Sequence, residues 1–467
     1  MIFVEEGIKV DIAILGGGPA GYVAAIEAAH LGASVALVEE REIGGTCLNR
    51  GCIPTKALLR TTEISNLIQK SKEFSIDSVL KNINWNLAGI RKNRVVKNLR
   101  MGLEHLMKKN NVQIINGKGR IISSTEVVVE TDDNNIYIKC KKLIITTGSK
   151  PLVPEIFDVK FDNVLTSDEA LELEEIPSNI VIIGAGAIGL EFATMFNYAG
   201  SRVNVIEAME NVLPLEDKEI TNELIKIMKR QGIKFKLSTK VKQIRKNNDV
   251  LEVVIDENNT EKIIQTEMIL VAVGRKLNSI SRDIVELGIK VDKGKIVVNE
   301  HMETNIEGVY AAGDVIGGKL LAHIAFAEGK CAVRNALGIN CKVNYSAVPS
   351  CVYTNPEVAS VGMNEESANE KGIDISVGRF NFRNNGRALC LGEREGFVKV
   401  IVDKNTNIIL GAQILGANAS EMISELTLAV SLGVKAELIA DMIHPHPTLS
   451  EAIMEACGDA VGKAIHK

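Results

Sequence analysis

The closest pair of cysteines in the sequence, Cys47 and Cys52, has the composition and surroundings of a redox-active dithiol. They lie in a glycine-rich segment that reads GGTCLNRGCIPTK over residues 44–56. Five positions along a regular helix span about 7.5 Å, too far for a disulfide, so a bridge needs a distorted turn. Gly51 permits that turn, and Pro54 favours the start of a helix whose positive end would favour the Cys52 thiolate. The alternative is two unrelated buried cysteines. The spacing does not fit a zinc knuckle and no second ligand pair lies near, so no metal is expected.

Thiol exchange also needs a base, and a histidine pair near the end of the sequence is a candidate. Residues 444–451 read HPHPTLSE. Proline on both sides of His446 fixes an extended backbone that presents the imidazole, and Glu451 could orient it as the third group of a triad does. Thr448 and Glu451 also match a helix capping box, so the alternative role of Glu451 is a cap. One carboxylate can serve both purposes, because it has several acceptor sites.

The elements that must position these groups include a pattern that occurs twice. Residues 10–39 read as an apolar strand, a glycine-rich turn, an alanine-rich helix and a second strand ending in an acid, and the pattern recurs at residues 178–207. The positions that coincide are Gly16, Gly18, Gly21, Gly32 and Glu39 in the first copy, and Gly184, Gly186, Gly189, Gly200 and Glu207 in the second.

This spacing has a physical reason in dinucleotide-binding folds. The first glycine allows a tight turn, the second lets the backbone approach a pyrophosphate, and the third lets the helix pack on the strand. The phosphates then lie at a helix N-terminus, and the acid accepts a hydrogen bond from a ribose 2′-hydroxyl. Two dinucleotide sites are therefore predicted; the alternative for each copy is a glycine-rich turn without a ligand.

Composition limits the possible classes of protein. The chain has 467 residues, enough for several domains, and a formal net charge of −5, so there is no global basic field for nucleic acid or an anionic membrane. A content of 46 % hydrophobic residues with 39 glycines is typical of an α/β protein. Eight cysteines are too few for a disulfide scaffold. The acidic start, Met1–Glu6, is unlike a secretory signal and no segment is long and apolar enough to span a membrane, so we expect a cytoplasmic protein.

On these motifs the sequence resembles the pyridine nucleotide–disulfide oxidoreductases over nearly its whole length. The resemblance implies an α/β fold with two Rossmann-like dinucleotide-binding domains and a C-terminal α+β dimerisation domain. We expect an FAD-binding domain at residues 1–149, an NAD-binding domain at 150–276, a central domain returning to FAD at 277–346, and an interface domain at 347–467.

The resemblance also implies FAD on the first repeat, NAD on the second, and a redox disulfide between Cys47 and Cys52. Cys52 would face the flavin and Cys47 would exchange with substrate. His446 would take the proton of the substrate thiol, held by Glu451, with His444 auxiliary. The other residues implied to contact FAD are Gly16, Gly18, Gly21, Glu39, Lys56, Thr147, Gly148 and Asp314, and those implied to contact NAD are Gly184, Gly186, Gly189, Glu191, Glu207 and Gly274. Asp314 would bond the ribityl chain of FAD, the alternative being a solvated turn acid, and His323 is either flavin-adjacent or a packing residue.

The implied activity is oxidation of dihydrolipoamide to lipoamide with NAD by a homodimer. The substrate would be carried on a lipoyl domain or carrier protein of a 2-oxo acid dehydrogenase or glycine cleavage complex; which complex is open. Mercuric reductase and large thioredoxin reductase would end in a cysteine pair, whereas this chain ends AIHK. A glutathione-reductase-like enzyme would present basic residues to NADP where this chain has Glu207 and Glu210. That enzyme and a flavin redox sensor without turnover remain the alternatives.

Some further features have simpler interpretations. Cys331, Cys341 and Cys351 recur every ten residues, which fits neither metal ligation nor a helix period. With Cys140, Cys390 and Cys457 they are predicted to be small buried hydrophobic residues. Residues 379–381 and 411–416 are predicted strands, helices are predicted beyond Ala419, and residues 426–430 are predicted to supply apolar surface to a dimer interface.

Overall fold

The computed structural model describes residues 7–132, 134–159, 161–248, 250–257 and 260–467. The interpretation of Met1–Glu6 as unlike a signal peptide therefore lies outside the described residues. Within the described ranges, no helix combines the length and the apolar character needed to cross a membrane.

The first part of the chain forms strands β1 to β6 and helices α1 to α4. The strands are β1 (Ile8–Leu15), β2 (Val35–Glu39), β3 (Gln113–Asn116), β4 (Lys118–Ser123), β5 (Glu126–Glu130) and β6 (Asn135–Ile145), and the helices are α1 (Pro19–His30), α2 (Gly45–Arg50), α3 (Cys52–Gln69) and α4 (Trp85–Lys109). β3, β2, β1 and β6 run parallel in that order, and β5 and β4 continue the sheet antiparallel. The apolar runs of β1 and β2 are buried, as parallel strands covered on both faces require.

The next part repeats the same unit. Its strands are β7 (Ser149–Pro151), β8 (Val164–Leu165), β9 (Asn179–Ile183), β10 (Arg202–Ile206), β11 (Lys234–Lys236), β12 (Lys240–Asn247), β13 (Val250–Glu257), β14 (Thr260–Thr266) and β15 (Met268–Val271), and its helices are α5 (Ser167–Ala170), α6 (Ala187–Ala199) and α7 (Lys218–Arg230). A parallel sheet has the order β11-β10-β9-β15-β8, and β12, β13 and β14 form an antiparallel sheet beside it. The units β1-α1-β2 and β9-α6-β10 confirm the predicted repeat.

The chain then returns to the first sheet. The elements are β16 (Arg275–Leu277), α8 (Arg282–Glu286), β17 (Val291–Asp292), β18 (Lys295–Ile296), β19 (Val309–Ala311) and α9 (Ala322–Ala336). β19 adds to the first sheet in parallel with β6, and β16 pairs with β7. α9 packs against α1, so residues far apart in sequence close over the first repeat.

The last part is an antiparallel sheet covered by helices. Its elements are β20 (Ser350–Val352), β21 (Glu357–Gly362), α10 (Glu365–Glu370), β22 (Ile375–Asn381), α11 (Gly386–Leu391), β23 (Phe397–Asp403), β24 (Ile409–Gly416), α12 (Ala419–Leu432), α13 (Ala436–Ala440) and α14 (Glu451–Ala460). The strand order is β20-β21-β24-β23-β22, and α12 and α14 pack on the sheet. The strands predicted at 379–381 and 411–416 and the helices beyond Ala419 are confirmed.

The prediction that residues 426–430 supply apolar surface to an interface needs correction. Leu426 and Ala429 on α12 are buried in the core of their own sheet, because they face β21 and β24. Leu428, on the opposite face of the helix, is 62 % exposed. In this segment Leu428 is therefore the most exposed apolar side chain, and Thr427 and Val430 are half-buried.

A buried ion cluster fixes the last sheet against the second repeat. Lys399 on β23 is fully buried, and its Nζ lies 2.9 Å from Asp217 and 3.1 Å from Glu219 at the start of α7. Burial alone would lower the pKa of Lys399, but its bonds to Glu365 and Asp217 raise the pKa overall. Breaking such a cluster by removing one partner costs about 3–5 kcal/mol, because the remaining charge stays buried. The cluster thus holds together the domains that carry the candidate site residues.

Candidate active site

Cys47 and Cys52 lie on either side of a helix break. Cys47 is inside α2, and Cys52 is the first residue of α3. Between them Gly51 has φ −144° and ψ −107°, outside the helical region, which confirms the predicted distorted turn. Both cysteines are free thiols in direct hydrogen-bonding contact with each other. The helix break therefore brings the two thiol groups into contact.

The two thiols are electrostatically different. The hydrogen bond from Cys47 lowers the pKa of Cys52 to about 7; burial opposes this effect, and the charge of Lys56 adds to it. Cys52 also begins an 18-residue helix, whose unpaired N–H groups favour a thiolate. The same contact, together with burial, raises the pKa of Cys47. In the dithiol form Cys52 therefore carries the negative charge and Cys47 keeps the proton.

Lys56 and Glu191, expected to belong to different cofactor sites, lie in contact. Lys56 Nζ is 2.8 Å from Glu191 Oε2 and 4.4 Å from the centroid of the Tyr353 ring. Glu191 Oε1 accepts a hydrogen bond of 3.0 Å from the Tyr353 N–H. Since Lys56 is on α3 and Glu191 on α6, this ion pair joins the cysteine helix to the second repeat. Tyr353 was not predicted, because a single aromatic residue in a loop gives no signal in the sequence.

The first repeat has the geometry of a dinucleotide turn. Gly16 has φ +105°, and a Cβ there would lie 2.3 Å from the Thr146 carbonyl oxygen. A Cβ at Gly21 would lie 1.8 Å from the Gly16 carbonyl oxygen, so the helix can pack this closely only with glycine. Glu39, at the end of β2, accepts a hydrogen bond of 2.6 Å from the Gly17 N–H and one of 2.9 Å from the Arg41 N–H.

The second repeat has the same geometry at corresponding positions. Gly184 has φ +105°, and a Cβ at Gly189 would lie 2.0 Å from the Gly184 carbonyl oxygen. Glu207, at the end of β10, accepts hydrogen bonds from the Ala185 N–H at 2.7 Å and the Met209 N–H at 2.8 Å. Both acids are therefore held at the strand end, where a ribose of a bound dinucleotide lies.

Both turns fit a pyrophosphate. α1 begins after Gly18 and α6 after Gly186, and neither helix has a side chain that caps its first N–H groups. A Cβ at Gly186 would meet no atom within 4 Å, and one at Gly18 would meet only Gly45 at 3.9 Å, so each helix end faces open space. Uncapped N–H groups facing open space are what an anionic phosphate needs.

Asp314 follows β19 and is part of a polar chain. Its carboxylate accepts a hydrogen bond from the Ser149 hydroxyl, and the Ser149 oxygen accepts one of 2.7 Å from Arg275 Nε. Asp314 is therefore not simply a solvated turn acid. Arg275 directly follows Gly274, which has φ +135° and open space at its Cβ position. Sequence reasoning placed Ser149 in the same segment as Thr147 and Gly148 but missed Arg275, although its adjacency to Gly274 was a signal.

Thr147 and Gly148, the expected return of the chain past FAD, follow β6. The Thr147 hydroxyl donates to the Asn278 carbonyl at 2.9 Å, and the Asn278 side-chain amide donates to the Thr147 carbonyl at 2.9 Å. Gly148 has φ +70°, a conformation that favours glycine. Thr147 and Gly148 are thus fixed near the first residues after Gly274.

His446 and Glu451 form the predicted pair. His446 Nδ1 lies 2.8 Å from Glu451 Oε1, and 78 % of the His446 side chain is exposed. Burial raises the pKa of Glu451, but the bonds from His446 and the Thr448 N–H outweigh it, so the pKa is lowered overall. The predicted capping box is only half formed: Glu451 Oε2 accepts from the Thr448 N–H at 2.8 Å, whereas the Thr448 hydroxyl donates to the Pro445 carbonyl. Glu451 thus holds both the histidine and the start of α14.

The other two histidines considered from the sequence, His444 and His323, have structural partners. The side chain of His444 is 2 % exposed, with Nε2 3.0 Å from Glu425 and Nδ1 3.1 Å from the Met442 carbonyl oxygen. His323 at the start of α9 is bonded to the Pro349 carbonyl at 2.8 Å. Among the described residues, no hydrogen bond or ion pair joins His446 to the thiols of Cys47 and Cys52.

The prediction that the remaining cysteines are buried hydrophobic residues is only partly right. Cys140, Cys331 and Cys457 are buried, but Cys341 and Cys351 are half-buried and Cys390 is exposed. Cys390 lies on the short helix α11, in which Ala388 is the buried residue. Periodicity could not place it, because a helix of six residues contains less than two turns.

A thiol pair beside a repeated dinucleotide fold defines a class of enzyme, and comparison with protein families agrees. A family model described as pyridine nucleotide-disulphide oxidoreductase matches residues 10–329, and the dimerisation domain of the same family matches residues 348–457. The chain therefore belongs to the pyridine nucleotide-disulphide oxidoreductase family, which confirms the fold class expected from sequence.

Within this family, several similar proteins are dihydrolipoyl dehydrogenases. The dihydrolipoyl dehydrogenase of Bacillus subtilis (strain 168) is 41 % identical over 471 residues, covering 98 % of this chain and 99 % of the relative. The mitochondrial dihydrolipoyl dehydrogenase of Pisum sativum is also 41 % identical, covering 99 % and 94 %. Among solved structures, the HOCl-induced flavoprotein disulfide reductase RclA from Escherichia coli matches with a TM-score of 0.86 and 31 % identity, covering 96 % of this chain and 99 % of that one.

Proposed function

We propose that this enzyme oxidises dihydrolipoamide to lipoamide with NAD, using FAD and a redox pair formed by Cys47 and Cys52. The observation that carries the proposal is the polarised thiol pair at the N-terminus of α3. It lies in a chain that is similar over nearly its full length to dihydrolipoyl dehydrogenases.

The residues divide the thiol chemistry between them. With Cys47 and Cys52 joined as a disulfide, a substrate thiolate attacks Cys47 and Cys52 leaves as a thiolate. Cys52 is suited to leave, because its pKa of about 7 makes it a good leaving group. The second substrate thiol, deprotonated by His446, attacks the substrate sulfur of the mixed disulfide. Lipoamide is released, and Cys47 receives the proton from His446, consistent with its raised pKa.

Holding the base is the role of Glu451. Its hydrogen bond of 2.8 Å to Nδ1 leaves the other ring nitrogen of His446 free to face a thiol, and the Thr448 N–H fixes the carboxylate. His446 has no contact with the thiols of its own chain among the described residues, and the chain carries the dimerisation domain. We assign His446 to the Cys47–Cys52 pair of the second subunit in a homodimer.

Each repeat takes one dinucleotide. FAD in the first site would supply a carrier that can take two electrons from a dithiol and give them up as hydride to NAD in the second. On the FAD side, Glu39 and the N-terminus of α1 would hold the ribose and pyrophosphate, and Lys56 would serve the flavin. On the NAD side, Glu207 and the N-terminus of α6 play the corresponding parts. The other residues that we assign to FAD are Gly16, Gly18, Gly21, Thr147, Gly148 and Asp314. Those that we assign to NAD are Gly184, Gly186, Gly189, Glu191 and Gly274.

The division into domains at residues 149, 276 and 346 is part of the proposal. It is supported by the pairing of β7 with β16, two short strands that lie at the first two boundaries.

We also assign the substrate dithiol to a lipoyl group carried by a partner protein of a 2-oxo acid dehydrogenase or glycine cleavage complex. A cytoplasmic location is the expectation from sequence, although relatives from plants are named as mitochondrial.

A steady-state assay of the FAD-bound protein tests the function. Dihydrolipoamide with NAD is expected to give continuous NADH production, and dihydrolipoamide with NADP much less. The same protein is assayed with oxidised glutathione and NADPH. Faster turnover of these two substrates than of dihydrolipoamide with NAD would favour a glutathione-reductase-like enzyme. Reduction of the flavin by dihydrolipoamide without continuous NADH production would favour a redox sensor.

A further inference from the structure

Two cysteines outside the active site are brought together by the turn that follows α9. The helix ends at Ala336, and Gly338, with φ +81°, reverses the chain. Cys331, in the last turns of α9, then lies beside Cys341. The Cys331 thiol is 3.3 Å from the Cys341 carbonyl oxygen, and the two thiol groups interact directly.

The side chain of Asn335 holds this turn in place. Its amide nitrogen donates to the carbonyl oxygens of Cys331 and Cys341, both at 2.9 Å, and to that of His301 at 3.0 Å. Its amide oxygen accepts from the Cys341 N–H at 3.0 Å. The backbone on both sides of the thiols is thus fixed by one residue, so the closeness of the thiols does not depend on a mobile loop.

The two thiols differ in the way that a reactive and a resolving cysteine differ. Cys331 is fully buried, and burial followed by its contact with Cys341 raises its pKa to about 12. Cys341 is half-buried and lies beside the guanidinium of Arg334. Arg334 is itself fixed by Glu27 of α1 at 2.7 Å. An oxidant from solvent therefore reaches Cys341 first.

We propose that Cys331 and Cys341 are a second redox site, which forms a reversible disulfide when the protein meets a peroxide. The Cys341 sulfur attacks one oxygen of hydrogen peroxide and the O–O bond breaks, so that Cys341 becomes a sulfenic acid and its thiol proton leaves with the other oxygen as the first water. The sulfur of Cys331 then attacks the sulfur of Cys341; the S–S bond forms, the S–O bond breaks, and the hydroxyl leaves with the Cys331 proton as a second water. Two thiols lose two electrons, one peroxide gains them, and a dithiol reductant reverses the oxidation by exchange.

A disulfide between Cys331 and Cys341 would restrict the movement of the segment that leads from α9 to the last sheet. Four residues after Cys341, the Tyr345 hydroxyl donates to Glu328 at 2.8 Å, and Glu328 accepts from the Gly313 N–H at 2.8 Å. Gly313 precedes Asp314, one of the residues assigned to FAD. The new site is thus separate from the Cys47–Cys52 pair but is connected to the same cofactor region.

Peptide mapping of the FAD-bound protein tests the proposal, because trypsin separates the two cysteines. Cleavage after Lys330, Arg334 and Lys342 places Cys331 in peptide 331–334 and Cys341 in peptide 335–342. After peroxide treatment and alkylation of free thiols, we expect these peptides to be linked, with a mass lower by two hydrogen atoms than their sum. Dithiothreitol before alkylation should abolish the link. Cys47 and Cys52 also fall in separate peptides, 42–50 and 51–56, so their link is an internal control for the oxidation.

Single variants identify the role of each thiol. Cys331→Ser should remove the link and leave Cys341 over-oxidised, seen as peptide 335–342 with up to three added oxygen atoms. Cys341→Ser should remove the link and leave Cys331 reduced, and Cys351→Ser should behave like the wild type. The proposal is wrong if wild-type peptides 331–334 and 335–342 stay unlinked while peptides 42–50 and 51–56 link. It is also wrong if the link forms only after unfolding in urea.

Discussion

Replacing Glu207 by glutamine is expected to weaken the discrimination between NADH and NADPH. The Glu207 carboxylate is fixed by the N–H groups of Ala185 and Met209, at the end of β10 where the ribose of the dinucleotide lies. A 2′-phosphate would place about two negative charges beside it. At about 5 Å, the repulsion is about 2 kcal/mol for an effective dielectric constant of about 80 and about 7 kcal/mol for about 20. Since about 1.4 kcal/mol is tenfold, kcat/KM for NADH should exceed that for NADPH by at least about 15-fold.

Glutamine keeps the length of the side chain and one carbonyl acceptor but removes the charge. The ratio of kcat/KM for NADH to kcat/KM for NADPH should therefore fall by at least about tenfold in Glu207→Gln. In Glu207→Arg this ratio should fall further. Glutamine cannot accept both backbone N–H groups, so NADH use should also fall modestly, by about 1 kcal/mol or about fivefold. The change in the ratio, and not the loss of activity, is the specific result.

The chain offers two matched controls for this experiment. Glu210→Gln removes the same charge from an exposed position in the same loop, and should leave the ratio nearly unchanged. Glu39→Gln is the equivalent change in the first repeat, and should weaken FAD retention without altering the ratio. The assay is reduction of lipoamide at fixed ionic strength with varied NADH or NADPH. A wild type that uses NADPH as well as NADH would refute the reasoning, as would Glu210→Gln changing the ratio as much as Glu207→Gln.

Three further predictions concern the thiols and the base. Cys47→Ser should keep the long-wavelength absorption that a Cys52 thiolate gives beside bound flavin, whereas Cys52→Ser should abolish it; identical spectra of the two variants would contradict the assigned roles. In the dithiol form this absorption should disappear as pH falls through about 7, because Cys52 becomes protonated. Lys56→Met should move the midpoint of this transition to higher pH, and Glu191→Gln should move it to lower pH. Equal midpoints in the wild type and the two variants would contradict the electrostatic assignment. Subunits carrying Cys47→Ser or His446→Ala, unfolded and refolded together at equal amounts, should recover roughly a quarter of wild-type activity, since half of the dimers then have one intact site of two; no recovery in proven mixed dimers would mean that the base acts within its own subunit.

The parts of the structure that sequence predicted depend on local geometry. Gly16 and Gly184 must adopt φ near +105°, and Gly21 and Gly189 must allow contact with a carbonyl oxygen, so the glycine spacing alone determines the turn. The break between Cys47 and Cys52 was predicted for the same reason, because a helix geometry forbids the contact of residues five apart. Steric rules of this kind act over a few residues and can be read directly from the chain.

The parts that sequence did not predict depend on contacts between distant segments. Lys56 and Glu191 were assigned to separate cofactors, and nothing in either segment indicates that α3 and α6 pack closely enough for an ion pair of 2.8 Å. The contact of Cys331 with Cys341 was missed because ten positions match no regular period; the chain reversal at Gly338 and the amide of Asn335 bring them together. Such contacts follow from packing, which periodicity does not describe.

The chain also shows why the type of residue does not determine reactivity. Cys140, on β6 in the core, has a pKa raised to about 11 because burial disfavours the thiolate and no cation lies near to offset it. Desolvation also opposes the thiolate of Cys52, yet its pKa is lowered to about 7, because it has a thiol donor, a nearby lysine and a helix N-terminus. Each of these three depends on the break at Gly51, which starts α3 at Cys52, points the Cys47 thiol at it and places Lys56 one turn along. A single helix boundary therefore brings three stabilising contributions to one cysteine and lowers its pKa to about 7, where Cys140 has none of them.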